Sequence, residues 1–352
     1  MKIKEKSIPA GFSAYLNIVR FFAAVIVVFY HTWSIVFPKF PLPWPGHAAV
    51  VVFFVLSGYV ISYAASRPNL TGKIYIAHRA ARILPVAIAA LLLCIAIEPL
   101  VSSSNFHYSG VLHPVHFWRD TLINGFFLGQ GWVDIAAPLN APFWSLNFEV
   151  WYYVIFGTWV FSPKRFRLIA VVIVSIIAGP KALLMFPVWL TGVALHKWMP
   201  EFNRKHALMI FITTTASSLI FIYLDISIHI RGMMYEIFPL AMKYPGAANQ
   251  FVGDFILGLL IALNFSAAYS LEDYFSKIPC KKIIKTIADF TFSTYLFHMP
   301  LCIFIWDVVG IRGSGWFYLS LIVGIFLLAE FTERRVAQYR KLFSEHRREI
   351  PA

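Results

Sequence analysis

The sequence predicts an all-α polytopic membrane protein, with about ten transmembrane helices and one interfacial or re-entrant segment at 116–132. Three observations carry this. The chain of 352 residues is 59% hydrophobic and 13% charged, about half the charge of a soluble domain. Its mean hydropathy is +0.70. Its apolar residues fall into runs near the roughly 20 helical residues that cross a bilayer, and its basic residues alternate between the loops that join those runs.

The runs are 14–36, 47–66, 83–100, 142–161, 168–179, 182–196, 207–224, 250–269, 286–309 and 316–332. The fifth and sixth are short and separated only by "GPK". The N-terminal "MKIKEKSIPAG" leads into a run that is too long for a cleaved signal and lacks a small-residue cleavage site. No repeat, low-complexity tract or long linker interrupts the runs. A single membrane domain is therefore expected over 1–352, with a short basic tail from about 333 and no appended extracytoplasmic domain. The segment "HFWRDTLINGFFLGQGW" is broken by Arg119, Asp120 and Asn124 and carries Gly125, Gly129 and Gly131.

Loop charge decides how that segment is treated. If 116–132 does not cross, 23 of the 30 Lys and Arg residues lie on the side of the N-terminus and six on the other, with Arg20 inside a span. If it crosses, every later loop changes side and the asymmetry collapses. The excess of cations in cytoplasmic loops favours the first arrangement, with both termini cytoplasmic in an inner or plasma membrane. The net charge of +13 then reflects basic loops on a bilayer, not nucleic-acid binding. Cys94, Cys280 and Cys302 are scattered without metal-ligand spacing and read as packing residues.

Polar residues inside the runs are the candidates for chemistry. In "RFFAAVIVVFYH", Arg20 and His31 are eleven residues apart. That spacing sets them on one helix face about 16 Å apart along the axis. An arginine at the centre of a span costs roughly 2.5–3.5 kcal/mol, so Arg20 either snorkels to the cytoplasmic surface or serves a function. His31 is either a hydrogen-bonded structural residue or a proton-transfer group. Glu149, in "PFWSLNFEVWYY", enters from the other side to a similar depth as His31 and must be paired or protonated. A His–Glu pair is one solution, and a structural pair with another helix is the other.

Arg79 and Arg82, three apart in "HRAARILP", share a helix face at the cytoplasmic start of the third run. Two guanidiniums on one turn suit a phosphate, although basic residues at this position also serve as ordinary membrane anchors. His298 in "STYLFHMPL" reads as a packed histidine from pattern alone, with Pro300 bending the helix. His107, His113 and His116 share one loop with no acidic or cysteine partner at ligand spacing, so no metal is expected.

Taken in order, these segments resemble the acyltransferase family 3 of integral membrane proteins. That family includes bacterial O-antigen and exopolysaccharide O-acetyltransferases. The resemblance covers nearly the whole chain. It rests on the Arg20-x10-His31 pair, "GHAAVVVFFVLSGYVIS" with Ser57 in its LSG, the Arg79-x-x-Arg82 pair, "FWSLNFEVWYY" with Trp144, Ser145 and Glu149, and "STYLFHMPL" with Tyr295 and His298. Ala49 stands where the family usually has a second glycine, and Arg335 where a proline is usual. The resemblance implies transfer of an acyl group, most often acetyl, from cytoplasmic acyl-CoA to a hydroxyl of a glycan or lipid-linked sugar. It implies His31, Arg20 and Glu149 as catalytic. Arg79, Arg82 and Arg20 would bind the donor, acetyl-CoA or another acyl-CoA. Ser57, Trp144, Ser145, Tyr295 and His298 would be substrate-binding or structural.

Two other classes compete with this reading. A transporter or flippase for a glycan or lipid-linked substrate also buries charge among its helices, but the sequence shows no repeated halves. A structural subunit of a polysaccharide machine would have no use for the intact Arg20, His31, Arg79 and Arg82.

Overall fold

The computed structural model describes residues 8–40, 42, 44–101 and 116–345. The described residues contain helices and turns and no strand. The helices are α1 (Ala10–Val36), α2 (Gly46–Ala65), α3 (Gly72–Ile97), α4 (Phe117–Gly125), α5 (Trp144–Phe161), α6 (Arg167–Ala178), α7 (Pro180–Lys197) and α8 (Arg204–Tyr223). They continue with α9 (Ile226–Ile237), α10 (Phe251–Ser270), α11 (Glu272–Phe275), α12 (Lys281–Ala288), α13 (Thr291–Ile303), α14 (Ser314–Phe331) and α15 (Val336–Glu345). This is an all-α membrane protein.

Among the described residues six helical segments are long and apolar enough to cross a membrane, and up to eight if each bent pair is one span. The expected count of about ten is not confirmed, and two local reasons account for the difference. The α6 helix has 12 residues, about 18 Å, too short to cross alone, and it meets α7 at a bend of 117°. In α5, Asn147 and Glu149 dilute the apolar run. The segment at 116–132 forms only the nine-residue α4 followed by turns, about 14 Å of helix, so no helix there is long enough to cross.

The polar residues that break that segment have partners. The Asn124 amide donates to the carbonyls of Asp120 (2.9 Å) and Ile135 (3.1 Å), and the Asn147 amide of α5 donates to Asn124 Oδ1 at 2.8 Å. Away from water, each such group must find its partner within the protein. The tail expected from about 333 is helical over its described residues. Glu333–Arg335 form a short turn of helix, and α15 then packs against α3.

The helices sort into two compact units. One comprises Met1–Ile26, Pro45–Leu70 and Ser175–Ala288, and the other Val27–Trp44, Thr71–Val174 and Asp289–Ala352. In the first unit α2 and α7 make the most extensive helix pair, and the crossing depends on two glycines. A Cβ on Gly58 would lie 2.0 Å from the Trp189 carbonyl oxygen, and one on Gly192 would lie 1.9 Å from the Val55 carbonyl oxygen. Hydrocarbon supplies no hydrophobic drive between helices, so close backbone approach at small residues holds such pairs. Trp189, fully buried, donates its indole N–H to Ser57 Oγ at 3.1 Å. The LSG segment is thus the seat of α7 on α2.

In the second unit the end of α1 joins α3, α4, α5, α13, α14 and α15. Pro300 lies inside α13, and a proline leaves the carbonyl four residues earlier without its helical donor. That carbonyl belongs to Leu296, and the buried Asn140 amide donates to it at 2.9 Å. At the start of α13, the buried Glu333 carboxylate accepts from the Ser293 N–H at 2.8 Å. A carboxylate at a helix N-terminus satisfies an orphan donor and complements the helix dipole.

The α2–α7 crossing yields a stability prediction. Gly192→Ala should destabilise the purified protein by at least the upper end of the roughly 1–3 kcal/mol that overpacking costs. Gly232→Ala is the control, since a Cβ there meets nothing within 4 Å. It should leave stability unchanged or raise it by about 0.5–1 kcal/mol. Thermal unfolding in detergent compares the two, and equal midpoints would refute the crossing as a determinant.

Candidate active site

The site in the second unit begins with two histidine rings. His31 lies one and a half turns before the end of α1, and His298 in the middle of α13. His298 Nε2 is 3.1 Å from His31 Nδ1, and the two rings are 5.1 Å apart. His31 is 8% exposed and His298 fully buried. Each ring also meets a carbonyl of its own helix four residues back: His31 Nδ1 lies 2.9 Å from the Val27 oxygen and His298 Nδ1 3.0 Å from the Thr294 oxygen.

These contacts bear on where each ring carries its hydrogen. A carbonyl oxygen only accepts, so both Nδ1 atoms carry the hydrogen. His298 Nε2 is then an acceptor that shares the His31 Nδ1–H with Val27, and His31 Nε2 holds the lone pair. The backbone of two helices thereby assigns the basic nitrogen of His31, a role that a neighbouring hydrogen bond commonly has for histidine. His298 was the residue that pattern alone gave to packing; the structure places it on His31.

Tyr295, one turn before His298, donates its hydroxyl to the Pro142 carbonyl at 2.9 Å and receives the Ser145 hydroxyl at 2.7 Å. These bonds tie α13 to the start of α5, where the W-S-L segment lies. Trp144 stacks edge-on against Phe148, one turn later in the same helix, with ring centres 5.6 Å apart. Glu149 accepts from the Tyr153 hydroxyl at 2.5 Å. Within this unit His31 meets His298, and Glu149 meets Tyr153. Glu149 lies within electrostatic reach of Tyr295.

Arg79 and Arg82 occupy the first turns of α3, as their spacing predicts, both half-buried. Arg79 Nε is buried without a hydrogen-bond partner. Tyr75 of the same turn donates to the Tyr153 carbonyl at 3.0 Å, fixing α3 against α5. Arg20 belongs to the first unit, where its Nη2 donates to the Ala288 carbonyl at 2.5 Å. Ala288 is the last residue of α12, so Arg20 caps that helix end, a position that favours a cation. Ser57, also in the first unit, serves the α2–α7 crossing.

One pair escaped sequence reasoning. His47 at the start of α2 lies 2.8 Å from Asp254 of α10, which is 1% exposed. The signal was present as a lone aspartate early in the run "FVGDFILG". Cys94 and Cys302 are buried as expected of packing residues, but Cys280 is exposed, with a φ of +60° in the turn before α12. No group of three possible metal ligands occurs among the described residues. His107 and His113 lie outside the described residues, and His116 is exposed.

Comparison with known proteins agrees with these motifs. The chain is 31% identical over 125 residues to the exopolysaccharide production protein ExoZ of Rhizobium meliloti, covering 35% of this chain and 37% of that one. It is 31% identical over 117 residues to the acyltransferase MdmB of Streptomyces mycarofaciens, covering 32% of this chain and 28% of that one. The matched stretches thus span well under half the length of either relative. No solved structure matches. The family profile described as an acyltransferase domain matches residues 13–331, from the start of α1 to the end of α14, and the chain belongs to that family, the acyltransferase family 3 of integral membrane proteins.

Proposed function

We propose that this protein is a membrane O-acyltransferase that moves an acyl group, most simply acetyl, from acyl-CoA to a hydroxyl of a cell-envelope or secreted glycan. The observation that carries this reading is the His31–His298 contact, which leaves His31 Nε2 as a basic nitrogen inside an apolar helix bundle. His31 Nε2 takes the proton of the attacking hydroxyl as its oxygen bonds to the acyl carbon. It returns that proton to the sulfur as the C–S bond breaks. His298 holds the His31 ring through Nδ1, so only Nε2 can act. Glu149 lies within electrostatic reach of Tyr295 on the His298 helix.

Donor recognition is assigned to Arg79 and Arg82, whose guanidiniums suit phosphate. Arg20 lies about 16 Å along α1 from His31. The name of one relative, an exopolysaccharide production protein, supports a glycan acceptor, and that of the other, an acyltransferase, supports acyl transfer. A transporter has less support, since a proton-transfer pair and a phosphate-suited arginine pair on one unit serve group transfer more directly. We place the protein in the inner or plasma membrane with both termini cytoplasmic, the arrangement in which ten spans put 23 basic residues on that side against six.

Three measurements test this. His31→Gln keeps a hydrogen-bonding side chain but cannot take a proton near neutral pH. It should lower transfer about 10²–10⁴-fold while acyl-CoA binding stays near normal, and substantial acetylation by this variant would falsify the catalytic role. Arg79→Ala with Arg82→Ala should weaken acyl-CoA binding by about 1.5–3 kcal/mol per lost contact. Unchanged affinity would return the pair to membrane anchoring. A reporter fused after Pro163 should report the cytoplasm; the opposite side would overturn the orientation.

A further inference from the structure

The family match ends at residue 331, and α15 begins at Val336. This last helix is held in place by specific contacts. Glu333 caps α13 through Ser293, Thr332 Oγ1 donates to the Leu328 carbonyl at 2.7 Å, and the Tyr339 hydroxyl donates to the Phe331 carbonyl at 2.9 Å. The helix packs on α3, the helix that carries Arg79 and Arg82. Its Arg340 is exposed, whereas Arg79 and Arg82 are half-buried.

Arg340 and Arg82 both lie within electrostatic reach of Arg79. Three guanidiniums are therefore gathered on one edge of a membrane domain, where like charges repel more than in water. Arg79 Nε is also buried with no hydrogen-bond partner. A buried donor without a partner calls for an explanation, and a bound anion supplies the acceptor that Arg79 Nε lacks. Gathered arginines with planar donor forks match phosphate oxygens. The gradation in exposure orders them, from Arg79 inside to Arg340 at the water.

We propose that α15 completes the donor site and that Arg340 binds the ribose 3′-phosphate of the CoA moiety, outermost of a three-arginine phosphate cradle with Arg79 and Arg82. This rests on the assignment of Arg79 and Arg82 to the donor. The thioester of the donor must enter toward His31. The nucleotide end, with its 3′-phosphate, then trails toward solvent, where the exposed arginine stands. The C-terminal helix thereby contributes to substrate recognition beyond the segment matched by the family.

The test uses the full-length protein in phosphatidylcholine nanodiscs, titrated with CoA and with 3′-dephospho-CoA. Arg340→Ala should weaken CoA binding about three- to tenfold, the modest scale of an exposed charge pair, and Arg340→Glu should weaken it more. Arg340→Lys keeps the cation and should stay within about threefold of the wild type. The difference between CoA and 3′-dephospho-CoA seen in the wild type should largely vanish in Arg340→Ala. Equal weakening toward both ligands would overturn the 3′-phosphate assignment. Unchanged CoA affinity in Arg340→Glu, with Arg79→Ala and Arg82→Ala still impaired, would overturn the role of Arg340 alone. No effect in any of these variants would overturn the donor assignment itself. A second arm repeats the titrations in phosphatidylglycerol nanodiscs, because a lipid headgroup presents the same phosphate chemistry. If Arg340→Glu alters only the binding of phosphatidylglycerol and not of CoA, the cradle serves lipid and the proposal fails. Thermal midpoints confirm that each variant is folded, and if Arg340→Glu is not, the alanine and lysine variants decide.

Discussion

Hydrocarbon offers a polar group no partner, and that constraint organises this protein. A buried donor or acceptor is costly there unless another group answers it. Pro300 illustrates how one such demand propagates. The proline removes an N–H from α13, the Leu296 carbonyl is left without its donor, and the Asn140 amide supplies one at 2.9 Å. Asn140 directly precedes the short turn that leads into α5, so this bond, with those of Tyr295 to Pro142 and Ser145, sets α5 against α13. His298, two residues before the proline, is carried on the same stretch of helix.

The histidine pair follows from the same rule. Neither ring can be left with an unanswered N–H, so each gives its Nδ1 hydrogen to a carbonyl four residues back. That choice follows from the backbone geometry. Its chemical consequence is a lone pair on His31 Nε2. In soluble enzymes a carboxylate often holds the tautomer of a catalytic histidine. Here two helix backbones and a second ring do so.

The arginines show the opposite strategy. Arg20 is spent on a helix end, where the Ala288 carbonyl accepts its Nη2. Arg79, Arg82 and Arg340 are instead brought together. Glycine governs how tightly the first unit closes. Gly58 and Gly192 let α2 and α7 approach until each backbone occupies the space a Cβ on the other would need. The LSG segment packs α2 on α7, and the Ser57 hydroxyl accepts from the buried Trp189.

Much was legible in the residues. Apolar runs located the helices, because in a bilayer length and hydropathy are direct physical requirements. The breaks at Arg119, Asp120 and Asn124 marked 116–132 as a segment that does not cross as a helix, and the spacing of Arg79 and Arg82 set them on one face. The number of spans was less legible: "GPK" could separate two spans or bend one, and the 117° turn at that point is a property of packing. Pairing was hidden almost entirely. Depth along a helix follows from counting residues, which made Glu149 a reasonable partner for His31. Which helix lies beside which does not follow from counting, and the neighbour of His31 proved to be His298, 267 positions away. The same holds for Arg340, in a tail that reads as a simple basic end until α15 is seen against α3. A sequence carries the cost of burying each polar group, but only the packed helices decide which group repays it.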